Sequence, residues 1–371
     1  MQTILTIAGT RPEAIKLAPV ILELRKRPDD FRALVCSTGQ HREMLTQSFA
    51  SFGIAPDIEL DVMEPGQSLA GVTARLFGAI DEVLELEQPD WVLIQGDTVT
   101  VLVASLCCYF RRINIGHIEA GLRSGDIWAP FPEEVNRRVT TLVTQLHFAP
   151  TDAAADNLRT EGVAEESIRV TGNTVIDSLL WTAEKARVEP PELPAEVEAA
   201  VRDDRKMVLI TGHRRENFGQ GMENVCQAIA ELASAYPNVL FFYPVHLNPQ
   251  VQGPVNRILG SLNNVALSAP LPYVEFVRVM DLSHLILTDS GGIQEEAPSL
   301  SKPVLVTRDV TERPEGISAG TSKLVGTDRA RIVEEVSRLL DDRNAYEGMA
   351  FAPSVYGDGQ AAKRIVEALV S

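Results

Sequence analysis

The chain has 371 residues, 45% of them hydrophobic and 23% charged, which is enough apolar material for more than one core and excludes a disordered chain. A formal net charge of −17 argues against nucleic acid or an anionic membrane as a general partner, so any anionic ligand must meet locally placed cations. Cys36, Cys107, Cys108 and Cys226 show no CxxC spacing and read as buried thiols, and no basic, signal-like lead precedes the first apolar run; both point to the cytoplasm.

In chain order, short apolar runs alternate with helix-period segments. TILTIAG is followed by the helical pattern EAIKLAPVILELRKR; then come ALVCST, DWVLIQG, NIGHIEA, LHFAP and IRVTGN. Within this half VLVASLCCYF, Val101 to Phe110, is too short to span a bilayer, and no membrane insertion is expected. The rhythm breaks at VEPPELPAEVEAAVRDDRK, Val188 to Lys206, and resumes with MVLITGH, VLFFYPV, VALSAP, LILTDSG and PVLVTRD. Runs that are continuously apolar rather than alternating indicate sheets buried on both faces, and repeated β-α order indicates parallel strands with right-handed crossovers. The expected class is α/β: two Rossmann-like, doubly wound domains facing each other across a cleft, residues 1–187 and 206–358, joined by a surface connection at 188–205.

Ligands of open parallel sheets bind at the carboxyl ends of the strands. There the sequence places Thr10-Arg11, Gly96-Asp97-Thr98, Glu119, His213-Arg214, His246 and Asp289-Ser290-Gly291-Gly292. In LILTDSGGIQEEAPS, Ser290, Gly291 and Gly292 can present backbone N–H groups to phosphate oxygens, with Glu296 placed for ribose hydroxyls; a plain tight turn needing glycine fits the same letters. Arg11 sits directly in a strand-end turn, and Pro12 suits the first helical position. Neither GxxxxGKS/T nor GxGxxG occurs, so neither an ATPase loop nor a standard NAD fingerprint is present.

One stretch is unusually dense in charge: IEAGLRSGDIWAPFPEEVNRR, Ile118 to Arg138. By spacing alone Glu133 and Glu134 suit a helix start, and Glu133/Arg137 and Glu134/Arg138 form i,i+4 pairs, an ordinary solvated helix.

A second account comes from similarity. GTRPEAIKLAP, TGQHREML, VLIQGDT, GHIEAGLRS, PFPEEVNRR, LHFAPT, VTGNTVID, TGHRREN, YPVHLNP, LTDSGGIQEEAPSL, KPVLV and RDVTERPE occur in order, and through them the chain resembles the non-hydrolysing UDP-N-acetylglucosamine 2-epimerases over its whole length. The resemblance implies the glycosyltransferase-B fold, UDP mainly in the C-terminal half, and a last helix at 359–371 returning to the N-terminal domain. It implies C2 epimerisation of UDP-N-acetylglucosamine to UDP-N-acetylmannosamine without metal or redox cofactor, for bacterial cell-surface polysaccharide, by a homodimer. Matched position by position, the catalytic residues are Asp97, Glu119, Glu133 and His213. Nucleotide contacts match Arg11, Lys16, Phe276, Ser290, Gly291, Gly292, Glu296 and Arg313. Glu134 and Arg138 are left structural, and Arg137 is an anchor for a catalytic carboxylate.

Thr38 to Leu45 is similar to the segment with which some members bind a second, regulatory UDP-N-acetylglucosamine. Gln40, His41 and Arg42 match, and Gln67 belongs with them, whereas Glu43 and Gly66 depart from the regulated pattern. Two alternatives share these motifs: an epimerase of a related UDP-sugar, and a UDP-sugar glycosyltransferase of the same fold. A non-catalytic sugar-nucleotide sensor would not need Asp97, Glu119, Glu133 and His213 together.

Overall fold

The computed structural model describes residues 1–39, 42–62 and 66–370. They form two compact units: Met1–Ser178 with Tyr356–Ser371, and Leu179–Val355.

Unit one is built on seven strands: β1 (Gln2–Ala8), β2 (Phe31–Ser37), β3 (Ile58–Glu59), β4 (Trp91–Gln95), β5 (Asn114–Ile118), β6 (Leu146–Ala149) and β7 (Ile168–Val170). Their order is β3-β2-β1-β4-β5-β6-β7, all parallel, with Gln2 opposite Phe31 and Ile4 opposite Trp91. Helices cover both faces, which is why the strands are apolar throughout. Leu5, Ile7, Val92 and Ile94 pack with Leu76 and Ile80 of helix Leu69–Glu87 and with Val101 and Cys108 of helix Val99–Arg111. Helix Arg11–Arg25 buries Leu17, Ile21 and Leu24. The strand order reverses between β1 and β4, the switch point at which such a sheet opens a crevice.

Unit two repeats the plan with β8 (Met207–Thr211), β9 (Leu240–Pro244), β10 (Val265–Ser268), β11 (Leu285–Thr288), β12 (Val304–Val306) and β13 (Ser322–Leu324). The order is β10-β9-β8-β11-β12-β13, again all parallel, so its switch point lies between β8 and β11. Val208, Ile210, Phe241 and Tyr243 pack with Met222, Val225 and Ile229 of helix Gln220–Ala235.

All eleven apolar runs are strands, and β3 and β13 are additional: β3 has only two residues, and β13 has Lys323 at the centre of three, so neither shows as an apolar run. The division between units differs from the expected connection at 188–205. It falls at Ser178/Leu179, inside helix Thr174–Val188. Residues 188–205 contain helix Ala195–Arg202, which buries Val197 and Ala200 against unit two; its proline and charge mark only the exposed side. The last helix, Ala361–Ala368, packs on Arg11–Arg25, and Asp177 accepts hydrogen bonds from the amides of Ala361 and Ala362 at 3.3 and 2.9 Å. Among the described residues no helix is long and apolar enough to cross a membrane, and all four cysteines are buried and unpaired.

Candidate active site

At the unit-one switch point, Gly9, Thr10 and Arg11 leave β1 and Gly96, Asp97 and Thr98 leave β4. A Cβ at Gly9 would collide with the Thr100 hydroxyl, so only glycine lets the β1 turn approach the first turn of helix Val99–Arg111 so closely. Glu13 ties them together. Its carboxylate, 2% exposed, accepts from the amides of Gly9 (3.0 Å) and Thr10 (2.5 Å) and from the Thr98 hydroxyl (2.8 Å). Burial raises the Glu13 pKa, against those hydrogen bonds.

Asp97 is held at both ends. Asn136 donates to its backbone carbonyl at 2.8 Å, while Arg137 Nε and Nη2 reach its carboxylate at 2.9 and 2.7 Å. Behind it, His117 Nε2 donates to the Gly96 carbonyl at 2.7 Å. Burial pushes the His117 pKa down to about 4, outweighing that bond, so the ring is neutral. One strand over, Glu119 takes φ +65° and accepts a hydrogen bond from Lys16. Asp97 and Glu119 thus follow neighbouring strands, each held by a cation supplied from a helix.

Glu133 and Glu134 open helix Glu133–Val143, and the structure separates them. Glu133 is half-buried. Glu134 is fully buried and accepts from the amides of Ser124 (3.0 Å) and Gly125 (3.3 Å), from Arg137 (3.1 Å) and from Arg138 (3.2 Å). Burial alone would raise its pKa, but these four donors hold it below the ordinary value. The i,i+4 pair Glu133/Arg137 is not the arrangement found, because Arg137 is taken by Asp97 and Glu134. Arg123 turns away to Glu161, at 2.7 and 2.6 Å.

In unit two, His213 and Arg214 leave β8 beside Asp289, Ser290 and Gly291, which leave β11. Ser290 is the first residue of a strand-to-helix turn whose amide is tied back to the Thr288 hydroxyl at 2.9 Å. A Cβ at Gly291 would lie 3.8 Å from the Arg214 guanidinium and 3.9 Å from that of Arg313, so two guanidinium groups flank the turn. Arg214 Nε is buried and has no hydrogen-bond partner among the described residues, a donor suited to an anionic oxygen. A Cβ at Gly292 would lie 3.6 Å from Glu296 Oε1, which puts that carboxylate next to the turn as well. Arg313 pairs with Glu295, and Gln294 accepts from Thr311 at 2.6 Å, bracing the helix behind it. The His213 ring stacks on His246 at 5.8 Å between centroids. Phe276 is half-buried on helix Tyr273–Leu282.

Of the residues that match a regulatory segment of some family members, Gln40 and His41 lie outside the described residues, and Arg42 begins helix Arg42–Ser51. Gln67 donates to the Val62 carbonyl at 3.2 Å, within its own loop. Glu13, His117 and Asn136 were not legible as site residues: each acts through a backbone group brought near by the fold, and only the approach of separate strand ends reveals that.

The family model for UDP-N-acetylglucosamine 2-epimerase matches residues 22–370. A UDP-N-acetylglucosamine 2-epimerase of Escherichia coli is 53% identical over 369 residues, spanning 99% of this chain and 98% of the relative. The structure of the UDP-GlcNAc 2-epimerase of Neisseria meningitidis bound to UDP-GlcNAc is 48% identical, covers 99% of both chains and gives a TM-score of 0.87. A Listeria monocytogenes structure, 43% identical and covering 99% of this chain and 95% of that one, gives 0.93. Two doubly wound parallel sheets place the chain with these neighbours in the glycosyltransferase-B-like α/β class. With nearly the whole length matched and every strand-end motif in place, the chain belongs to the UDP-N-acetylglucosamine 2-epimerase family of isomerases.

Proposed function

We propose that this chain interconverts UDP-N-acetylglucosamine and UDP-N-acetylmannosamine by eliminating UDP to 2-acetamidoglucal and adding it back, as a precursor step for bacterial cell-surface polysaccharide. The observation that carries the reading is the pair Asp97 and Glu119, carboxylates at the ends of adjacent strands, each gripped by a cation. The proton on C2 of the sugar is not acidic, because no carbonyl is conjugated with that carbon. A carboxylate can remove it only as the C1–O bond to UDP breaks; the C2–H electrons become the C1=C2 bond and the C1–O pair leaves with the diphosphate. Return from the opposite face needs a second acid, so Asp97, Glu119 and Glu133 share two faces of one ring.

The departing diphosphate needs cations and amide donors. Arg11, Lys16, His213, Arg313 and the Ser290–Gly292 turn fill that role, Glu296 takes the ribose hydroxyls, and Phe276 contacts the nucleotide. Elimination and re-addition involve no net oxidation, so the scheme calls for no redox cofactor. We place the enzyme in the cytoplasm, where its buried thiols stay reduced, and as a homodimer. Leu86, Tyr109 and Phe110, 74%, 57% and 69% exposed on two packed helices, suit a second copy; elution as a stable monomer at working concentration would rule this out.

The deciding experiment is incubation with UDP-N-acetylglucosamine alone, followed by product separation. UDP-N-acetylmannosamine is the expected product. No reaction with this sugar, but inversion of a related UDP-sugar or transfer to an added acceptor, would favour the two alternatives in turn.

A further inference from the structure

Asp289 has no place in the reaction scheme above, yet it is the carboxylate buried at the unit-two switch point. It is 0% exposed. A buried carboxylate survives only when donors satisfy it, and here they come from a single loop on the neighbouring strand end. Oδ2 accepts from the amides of His213 and Arg214, both at 2.9 Å, and from Asn217 Nδ2 at 3.3 Å; Oδ1 accepts from the His213 amide at 3.2 Å. Asn217 in turn donates to the Thr307 carbonyl at 3.0 Å. Loop anchoring accounts for those contacts. It does not account for the His213 side chain, whose Nδ1 lies 3.3 Å from Oδ1 while the ring is 41% exposed.

A carboxylate beside Nδ1 selects the tautomer with its proton on Nδ1 and leaves Nε2 as the outward nitrogen. A neutral ring of that tautomer offers the outside a lone pair, so to donate from Nε2 it must be the imidazolium. Three groups that face the ring bear on this. Burial comes first in lowering its pKa, Arg214 and His246 lower it further, and Asp289 acts in the opposite direction. We propose that Asp289 is a positioning residue: it holds the His213 ring with Nδ1 inward, so that Nε2 is the nitrogen that faces the departing diphosphate and Asp289 steadies the positive charge the ring carries whenever it donates from there. This rests on the reading of His213 given above.

The test uses the full chain. In the wild-type protein, nitrogen NMR of ring-labelled histidine should show neutral His213 protonated on Nδ1; a proton on Nε2 overturns the proposal without any variant. Asp289→Asn should lower the His213 pKa and reduce kcat by about tenfold or more, as loss of a tautomer-holding carboxylate does elsewhere, while KM changes much less. Added to His213→Asn it should reduce kcat no further, because the two act as one unit. An unchanged His213 titration, or a full additional loss in the double variant, reduces Asp289 to a loop anchor. Absence of epimerisation by the wild type would instead remove the reading of function, and the tautomer measurement would still stand.

Discussion

Glu119 is a non-glycine residue held at φ +65°, a conformation that costs an L-residue about 1–2 kcal/mol. The surrounding structure keeps it there: the next amide, Ala120, bonds the Phe148 carbonyl at 3.1 Å, and Lys16 holds the carboxylate. Such strain is retained where a side chain must be aimed. Glu119→Gln and Glu133→Gln keep shape and remove a proton acceptor, so each should lower turnover by about a hundredfold or more. UDP affinity by calorimetry should scarcely change, since the Ser290–Gly292 turn is untouched. Glu134→Gln should behave in the opposite way. It strips charge from a buried group that satisfies two amides and two guanidinium groups, with a stability loss of about 1–3 kcal/mol. Near-normal turnover in both of the first pair, with a large loss of melting temperature instead, would make all three glutamates structural. In the sequence Glu133 and Glu134 are indistinguishable, and from spacing an ordinary capped helix was the better account. What separates them is where the Ser124–Gly125 loop folds back, a long-range event that no local pattern encodes.

The elements record a second buried set. His117 on β5 sits in register with His147 on β6, both almost fully buried. Burial pushes their pKa values down from 6.5 to about 4 and about 3. In the unfolded chain both rings bind a proton near pH 6.5; in the fold neither does until much lower pH. Stability is therefore full above pH 6.5 and lost as pH falls toward the folded values, at a cost of roughly 3 kcal/mol for a ring held near 4. Asp177 works in the other direction, since burial raises its pKa to about 6 and its contribution is lost as pH rises. The specific expectation is a comparison: the melting temperature of wild type should fall more steeply between pH 6.5 and 4.5 than that of His147→Gln. Parallel curves would show that these histidines titrate normally. Of this level of structure the strands were readable, because helices on both faces of a parallel sheet demand uninterrupted apolar runs. Two parts were not. β3 has only two residues and β13 has Lys323 at the centre of three, so neither forms an apolar run, and the Val188–Lys206 stretch reads as a connection because proline and charge lie on the exposed side of a short helix whose buried positions are only Val197 and Ala200.

At the scale of the whole molecule, a chain of net charge −17 binds an anion only where its cations are concentrated, and in both units those cations stand at the switch point of the sheet. The proposed elimination fixes what the chemistry must look like in solvent. Inversion at C2 requires either breaking the C–H bond or passing through an oxidised sugar. The turns after β1 and β8 carry no GxGxxG fingerprint, and the ends of β4 and β5 present the carboxylates Asp97 and Glu119. A C2 proton taken by Asp97, Glu119 or Glu133 sits on a carboxyl group that exchanges with water. On the proposed route, the proton returned to the other face comes from a different, solvent-equilibrated acid. In heavy water the product should therefore carry deuterium at C2, and on prolonged turnover the recovered substrate should carry it too, because the glucal intermediate partitions both ways. His213→Asn should slow release of UDP from C1 together with epimerisation, as expected for a group that meets the leaving diphosphate rather than the C2 proton. Mass spectrometry of both sugar nucleotides decides the matter: product that keeps its original hydrogen at C2 would rule out elimination, and the carboxylates after β4 and β5 would then need another role.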